Sequence, residues 1–170
     1  MLFRSVIQNL VDICAKGGNF MVGIGPNGNG TYHSEAINEL EAVGNWLIIN
    51  GEGIFNTRPW TTWQEGDVLQ APEYLRCKEF PFKDPVKYDG RFIRFTATKD
   101  GKYAYLFTID WPEKEFRSKV MKPKKNCEIR MLGDANTLNW QIEGDELIID
   151  TSGISKPPCE YAWCFKVQIN

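Results

Sequence analysis

A glycine-rich stretch, Gly17 to Gly30 (GGNFMVGIGPNGNG), holds the residues best placed for ligand chemistry. Within it Gly23-Ile24-Gly25-Pro26-Asn27-Gly28 has the G-x-G-x-x-G spacing that cradles a dinucleotide pyrophosphate. That chemistry needs backbone amides at a helix N-terminus, with the third glycine opening the helix. Here Asn29-Gly30 delay the helix, Pro26 removes one amide donor, and Glu35 puts a negative charge in the first helical turn. A phosphate would be repelled there, so a dinucleotide site is rejected. The glycines suit either a plain turn or a close approach of backbone to a ligand. Asn29-Gly30-Thr31 forms a glycosylation sequon, read as unused because such triplets arise by chance.

Other reactive residue types are sparse. His33 is the one histidine, which argues against a histidine-based triad or metal cage. The five cysteines, Cys14, Cys77, Cys127, Cys159 and Cys164, are odd in number and form no C-x-x-C pair, so neither a disulfide scaffold nor a zinc site is expected. Glu52 is the acid that most invites a catalytic reading, but it follows the end of a helix and is read as structural. Twenty Lys plus Arg against 22 Asp plus Glu leave no basic field for nucleic acid. The basic run Lys122 to Lys125 is read as a solvated loop, since no aromatic ladder accompanies it. No apolar run approaches the ~20 residues of a membrane span.

The elements that position these residues fall into two groups. Phe3, Val6, Ile7, Leu10, Val11 and Cys14 recur at helical spacing, ending at Lys16 with Gly17 beyond as a C-cap glycine. Asn19–Val22 is a short apolar run of strand length. Ile37, Leu40, Val43 and Leu47 mark a second helix, with Thr31 or Ser34 as its N-cap. Helix, buried strand, glycine loop and helix make one turn of an α/β wheel. A lone buried strand needs neighbours for its backbone hydrogen bonds, so the chain is read as beginning in the middle of a fold. Residues 51–66 are read as a connector.

From Asp67 onward the period changes towards two. Phe92–Lys99 and Lys102–Ile109 are predicted to pair through an Asp100-Gly101 turn, with both faces of the second arm partly buried. Further strands are predicted at Ser118–Met121, Glu128–Leu132, Leu138–Ile142, Glu146–Asp150 and Tyr161–Ile169, with Gly144-Asp145 as a tight turn. Tyr161, Trp163, Phe165, Val167 and Ile169 share one face of the last. The fold class is therefore mainly β: an antiparallel β-sandwich over 67–170, preceded by a helix–strand–helix unit over 1–50.

A family resemblance sharpens this. Leu10-Val11-Asp12-Ile13, Lys16-Gly17-Gly18-Asn19, Gly25-Pro26 and Gly28-Asn29-Gly30-Thr31 resemble the end of the catalytic barrel of α-L-fucosidases, glycoside hydrolase family 29. Gly44-Asn45-Trp46-Leu47, Asn50 to Phe55 and Thr57-Arg58-Pro59-Trp60 extend the likeness. Ile129 to Gly133, Leu138-Asn139-Trp140 and Glu160-Tyr161-Ala162-Trp163 resemble the β-sandwich that closes those enzymes. One departure is Gly23, where the family usually has Asn.

The resemblance implies a barrel remnant at 1–50, and hydrolysis of α-linked fucose with retention, without metal or other cofactor, in an intact enzyme. Its partners would be a fucoside or fucosylated glycan and the missing N-terminal barrel portion; without that portion the apolar side chains of 1–50 would turn to the sandwich, to a second copy in a homo-oligomer, or to solvent. Its location would be periplasmic, secreted or lysosomal. The family's nucleophilic Asp and its acid/base would precede Met1, so no catalytic residue is assigned in this chain. If Asn19–Val22 is the last barrel strand, the loop after it lies on the active face, making Gly25, Pro26 and Asn27 the candidate substrate-pocket rim. A glycan on Asn29 would obstruct that face. Trp60, Trp63, Trp111, Trp140 and Trp163 are read as core or inter-domain packing and not as sugar platforms, with Trp60 and Trp63 between sandwich and barrel. The rival reading is a free carbohydrate-binding sandwich module.

Overall fold

The computed structural model describes residues 2–66 and 92–169. Two helices, α1 (Leu2–Ala15) and α2 (Ser34–Asn50), precede a 3₁₀ turn (Gly51–Gly53) and nine strands. The strands are β1 (Thr57–Gly66), β2 (Phe92–Thr98), β3 (Tyr103–Thr108), β4 (Glu115–Ser118) and β5 (Ile129–Met131), followed by β6 (Thr137–Leu138), β7 (Trp140–Glu143), β8 (Glu146–Asp150) and β9 (Trp163–Gln168). They form a six-stranded sheet in the order β1-β2-β3-β9-β5-β6 and a three-stranded sheet in the order β4-β8-β7, every pairing antiparallel.

The large sheet is the middle of three layers. Alternate residues of its central strands point to opposite sides. Ile93, Phe95, Leu106, Phe165 and Val167 meet Phe116, Leu147 and Ile149 of the small sheet. Phe92, Tyr105, Phe107 and Cys164 face the other way, against Ile7 and Val11 of α1 and Trp46 of α2. This double coverage explains why β3 reads as nearly continuous apolar sequence, and why both its faces are buried.

The hairpin predicted around Asp100-Gly101 is present. Ile93 pairs with Thr108 and Ala97 with Ala104. Gly101 takes φ +71°, and the Asp100 carboxylate accepts from the Thr98 hydroxyl and the Lys102 amide at 2.6 and 3.0 Å. Gly144-Asp145 joins β7 to β8, Gly144 supplying the left-handed first position. The strand predicted over Leu138–Ile142 divides at Asn139. Leu138 pairs with Ile129 in the large sheet and Trp140 with Ile149 in the small one, so the chain changes sheets there.

The strand expected at Ser118–Met121 lies earlier, at Glu115–Ser118. The Glu65 carboxylate accepts from the Lys119 and Val120 amides at 2.8 and 3.3 Å, and Ser118 Oγ accepts from the Met121 amide, so these amides are withdrawn from any ladder. The segment 51–66, expected as a connector, instead contains the 3₁₀ turn and β1, an edge strand whose pairing with β2 shifts register between Pro59 and Gln64. An edge position is where a strand tolerates proline. The expected period-two pattern over 67–91 lies outside the described residues, as does Cys77.

The larger correction concerns Asn19–Val22. It forms no strand, because no described strand lies beside it to take its hydrogen bonds. Met21 is 92% exposed and Val22 44%. The helices flanking it are formed. α1 closes in a Schellman motif, Gly18 N–H to Ile13 O and Gly17 N–H to Cys14 O, with Gly17 at φ +79°. His33 occupies the N-cap position of α2 without a side-chain capping bond, and neither Thr31 nor Ser34 serves as its N-cap.

The 3₁₀ turn docks directly on the sheet. A Cβ on Gly53 would fall 2.6 Å from Phe107 Cζ and 3.1 Å from Cys164 Sγ, both fully buried. Gly53 O also accepts from Thr96 Oγ1 at 2.6 Å. Gly53→Ala should therefore lower stability by about 1–3 kcal/mol through overpacking, read as a lower urea midpoint. A variant as stable as wild type would mean that the turn lifts off the sheet freely.

Candidate functional site

Two features of the N-terminal layer point outward: the glycine loop and one face of α2. Each is positioned by the attachment of the helices to the sheet. The strongest attachment is ionic. Arg94 on β2 is fully buried, and its Nε donates to Asp12 Oδ1 of α1 at 2.6 Å. Asp12 Oδ2 takes Lys16 Nζ one helical turn on, at 2.5 Å. The guanidinium also donates to Ile93 O, and it lies 3.8 Å from the Phe92 ring centroid and 5.2 Å from that of Trp63. Lys16 stands 4.7 Å from the same Trp63 ring. Trp63 thus packs where α1 meets the sheet, as expected. Trp60 does not; it turns into the sandwich core, 5.4 Å from Phe95.

α2 is pinned at its other end. Trp46 Nε1 donates to Ala162 O at 2.8 Å. That carbonyl sits just beyond Tyr161, whose φ of +76° and the Ala162 N–H to Glu160 O bond make a tight γ-turn. Next to this anchor, Glu52 is held by the Tyr105 hydroxyl at 2.8 Å and by Lys166. Burial raises the Glu52 pKa, but the bonds from Lys166 and Tyr105 and the Lys166 charge outweigh it, keeping the carboxyl below its ordinary range. Burial, then the bond to Glu52, pushes the Tyr105 phenol well above its ordinary value. A carboxylate locked in its ionised form beside a protonated phenol is a structural clasp, which is how the sequence reads it.

The proposed rim residues lie together on the surface. Gly25 and Pro26 are exposed and Asn27 half-buried. The turn after them closes on itself: Gly30 N–H to Asn27 O at 2.9 Å, Asn27 N–H to Thr31 O at 2.7 Å, and Asn27 Nδ2 to Thr31 Oγ1 at 2.9 Å. Asn29 Oδ1 accepts from the Thr31 amide and hydroxyl. The Asn27 side chain is therefore engaged within its own loop. A Cβ added at Gly23, Gly25 or Gly28 would meet nothing within 4 Å. Nothing inside the described chain requires glycine at those three positions.

On α2 three large apolar side chains stand exposed among Glu35, Asn38, Glu41 and Asn45: Ile37, Leu40 and Ile48 are 38%, 39% and 83% exposed, away from the buried Trp46. Met21, Val22, Tyr32 and Phe55 add to the exposed apolar surface of the N-terminal layer. A monomer rarely leaves so many large apolar side chains uncovered in one layer.

Among the described residues no three His, Cys, Asp or Glu side chains gather to hold a metal. Two carboxylates do share a cleft, Glu115 and Asp150, paired across β4 and β8. Ser152 bonds hold the Asp150 carboxyl below its usual range, and Glu115 is ion-paired with Arg117 at 2.6 Å. A carboxyl held down in this way is not the raised, protonated acid that glycoside hydrolysis demands. Trp163 is core, 7% exposed. Trp140 also turns inward, its Nε1 donating to Cys127 O at 2.9 Å. Sequence reading missed Arg94, whose partner is 82 residues away.

Comparison with known proteins gives a consistent picture. The family model for α-L-fucosidase matches residues 2–52, and that for the α-L-fucosidase C-terminal domain matches residues 89–168. The tissue α-L-fucosidase of Rattus norvegicus is 30% identical over 169 residues, covering 96% of this chain and 31% of the relative. The human tissue enzyme is 27% identical over 168 residues, covering 95% and 30%. Among solved structures, the Thermotoga maritima α-fucosidase in complex with fucose superposes with a TM-score of 0.74 at 19% identity, over 97% of this chain and 34% of that one. The chain thus spans about a third of the length of the proteins it matches.

Proposed function

Since the chain belongs to the α-L-fucosidase family, we propose that it supplies the last helix–strand–helix unit of a catalytic β/α barrel and the β-sandwich that closes it, in an enzyme hydrolysing α-linked fucose with retention. The observation that carries this reading is the uncovered apolar surface on α2 and the segment before the glycine loop, Met21, Val22, Ile37, Leu40 and Ile48. Exposing each large apolar side chain costs on the order of 1.5–3 kcal/mol, and the remaining barrel elements are the surface that would cover them. In that setting Phe20 and Val22 would join a parallel sheet and gain the ladder they lack here. Gly25, Pro26 and Asn27 would then line the pocket rim, where loops following barrel strands form the active face. The absence of any steric reason for glycine at Gly23, Gly25 and Gly28 within this chain supports a requirement imposed from outside it. The sandwich, taken from Thr57, would act as a buttress, with Arg94–Asp12 and Trp46–Ala162 fixing the barrel's last helices.

Retaining hydrolysis needs two carboxyl groups about 5 Å apart, one a nucleophile and one a protonated acid. The reading places both outside this chain. The purified chain incubated with a chromogenic α-L-fucoside should show no turnover above a buffer control. Turnover would mean that it carries a complete catalytic pair.

A further inference from the structure

We propose that the cleft on the outward face of the three-stranded sheet is a second carbohydrate site, binding a neutral pyranose ring. This does not rest on the barrel reading, since β4, β7 and β8 lie in the sandwich alone. The cleft has a volume of about 300 Å³. Its floor is Ile148, on the central strand of the small sheet. By register Ile148 shares the outward face with Gln141 and Arg117, while Phe116, Trp140 and Ile149 face the core. Ile148 is only 5% exposed yet belongs to neither core cluster, so it is an apolar patch at the base of a polar depression. An edge of the inward-turned Trp140 completes the apolar part.

The walls carry mixed donors and acceptors that the fold leaves free. The Asn139 side-chain amide and the Lys114 ammonium make no hydrogen bond or ion pair among the described residues. Asn139 sits where the chain crosses between sheets, its carbonyl fixed by the Asp150 amide at 2.8 Å, so its base is rigid. Asp150 Oδ1 is occupied by Ser152, which leaves Oδ2 as an acceptor for a ligand. Gln141 donates through Nε2 to Glu143, leaving its amide oxygen as an acceptor. Glu115, the remaining wall, is oriented by Arg117.

The charge balance selects the ligand. Arg117 on the same face is committed to Glu115 and Glu146, so Lys114 is the one lining cation left to meet an anion and it stands near Asp150, which disfavours an anion; no metal-ligating group of three acids, cysteines or histidines exists among the described residues. A ligand with adjacent hydroxyls and one apolar edge matches planar amide and carboxylate side chains arranged round an isoleucine floor. A pyranose ring offers both, its hydroxyls to the walls and its C–H face or methyl to Ile148.

The test uses the whole chain, labelled with ¹⁵N, titrated with methyl α-L-fucopyranoside, methyl β-D-galactopyranoside and, as a polyol control, glycerol. At least one glycoside should shift the side-chain amides of Asn139 and Gln141, the Trp140 indole and the backbone of Ile148–Asp150, with a millimolar dissociation constant. Asn139→Ala and Gln141→Ala, both exposed side chains, should each weaken binding about tenfold, as the loss of one hydrogen bond does, with unchanged melting. Absence of shifts with both glycosides, equal shifts with glycerol, or an affinity unchanged from wild type in both variants would overturn the proposal. A fucoside-hydrolysis result, of either sign, leaves this readout untouched.

Discussion

Asp12→Ala should cost the chain about 3–5 kcal/mol of stability, the usual penalty for breaking a buried ion pair by removing one partner. Arg94 has no exposed surface, and a guanidinium cannot shed its charge to escape burial. Its Nε–Asp12 Oδ1 contact of 2.6 Å is an ion pair that ties α1 to the sheet. Lys16 would also lose its carboxylate, but that residue is partly exposed and its share is small. The loss should appear as a lower urea midpoint, and added salt should change it little, because the pair is shielded from solvent. A single variant within about 1 kcal/mol of wild type, the value of a surface pair, would show that water reaches Arg94.

Trp163→Ala should lose a comparable amount, about 3–5 kcal/mol, as other large buried aromatics do. The ring is 7% exposed, lies edge-on to Trp111 at 5.2 Å, and donates its indole N–H to Cys159 O at 3.0 Å. Truncation removes apolar contact and leaves that carbonyl without this donor. On the neighbouring position of the same face, Phe165 packs against Phe116 at 4.6 Å, so the cavity would open within the sandwich core. Thermal melting and urea unfolding give the loss directly. A variant that melts like wild type but loses sugar binding would make Trp163 a platform after all.

What the sequence makes legible is what is local. Asp100-Gly101 and Gly144-Asp145 mark their turns because only a few residue types tolerate left-handed φ there. The alternation in β9 marks its two faces because each residue reports its own burial. Gly17 marks the end of α1 for the same reason. β1 is obscured: Pro59 and a register shift interrupt its alternation, and its strand character comes from pairing with β2. β4 is displaced because Glu65, more than fifty residues upstream, takes the amides that would have extended it. Arg94 reads as an oddity in an apolar strand until Asp12 is placed beside it. Asn19–Val22 is the opposite case. Its composition is that of a buried strand, but a strand is made by its neighbours, and among the described residues it has none. The rim residues Gly25 and Pro26 are legible as a loop, and the cleft around Ile148 is not, because β4, β7 and β8 come together only through tertiary pairing.

That contrast between composition and environment is where the account is most exposed. It holds that residues 19–22 are built for a sheet completed by other barrel elements, so in this chain alone they should be the least protected part of the N-terminal layer. Hydrogen exchange measured at dilutions that favour monomer tests this most directly. The amides of Phe20–Val22 should exchange near the rate of an open chain, while those of Tyr103–Thr108, paired on both sides, should exchange only through global unfolding. Equal protection of the two segments would contradict the account, showing a self-sufficient fold with no vacancy for a barrel to fill.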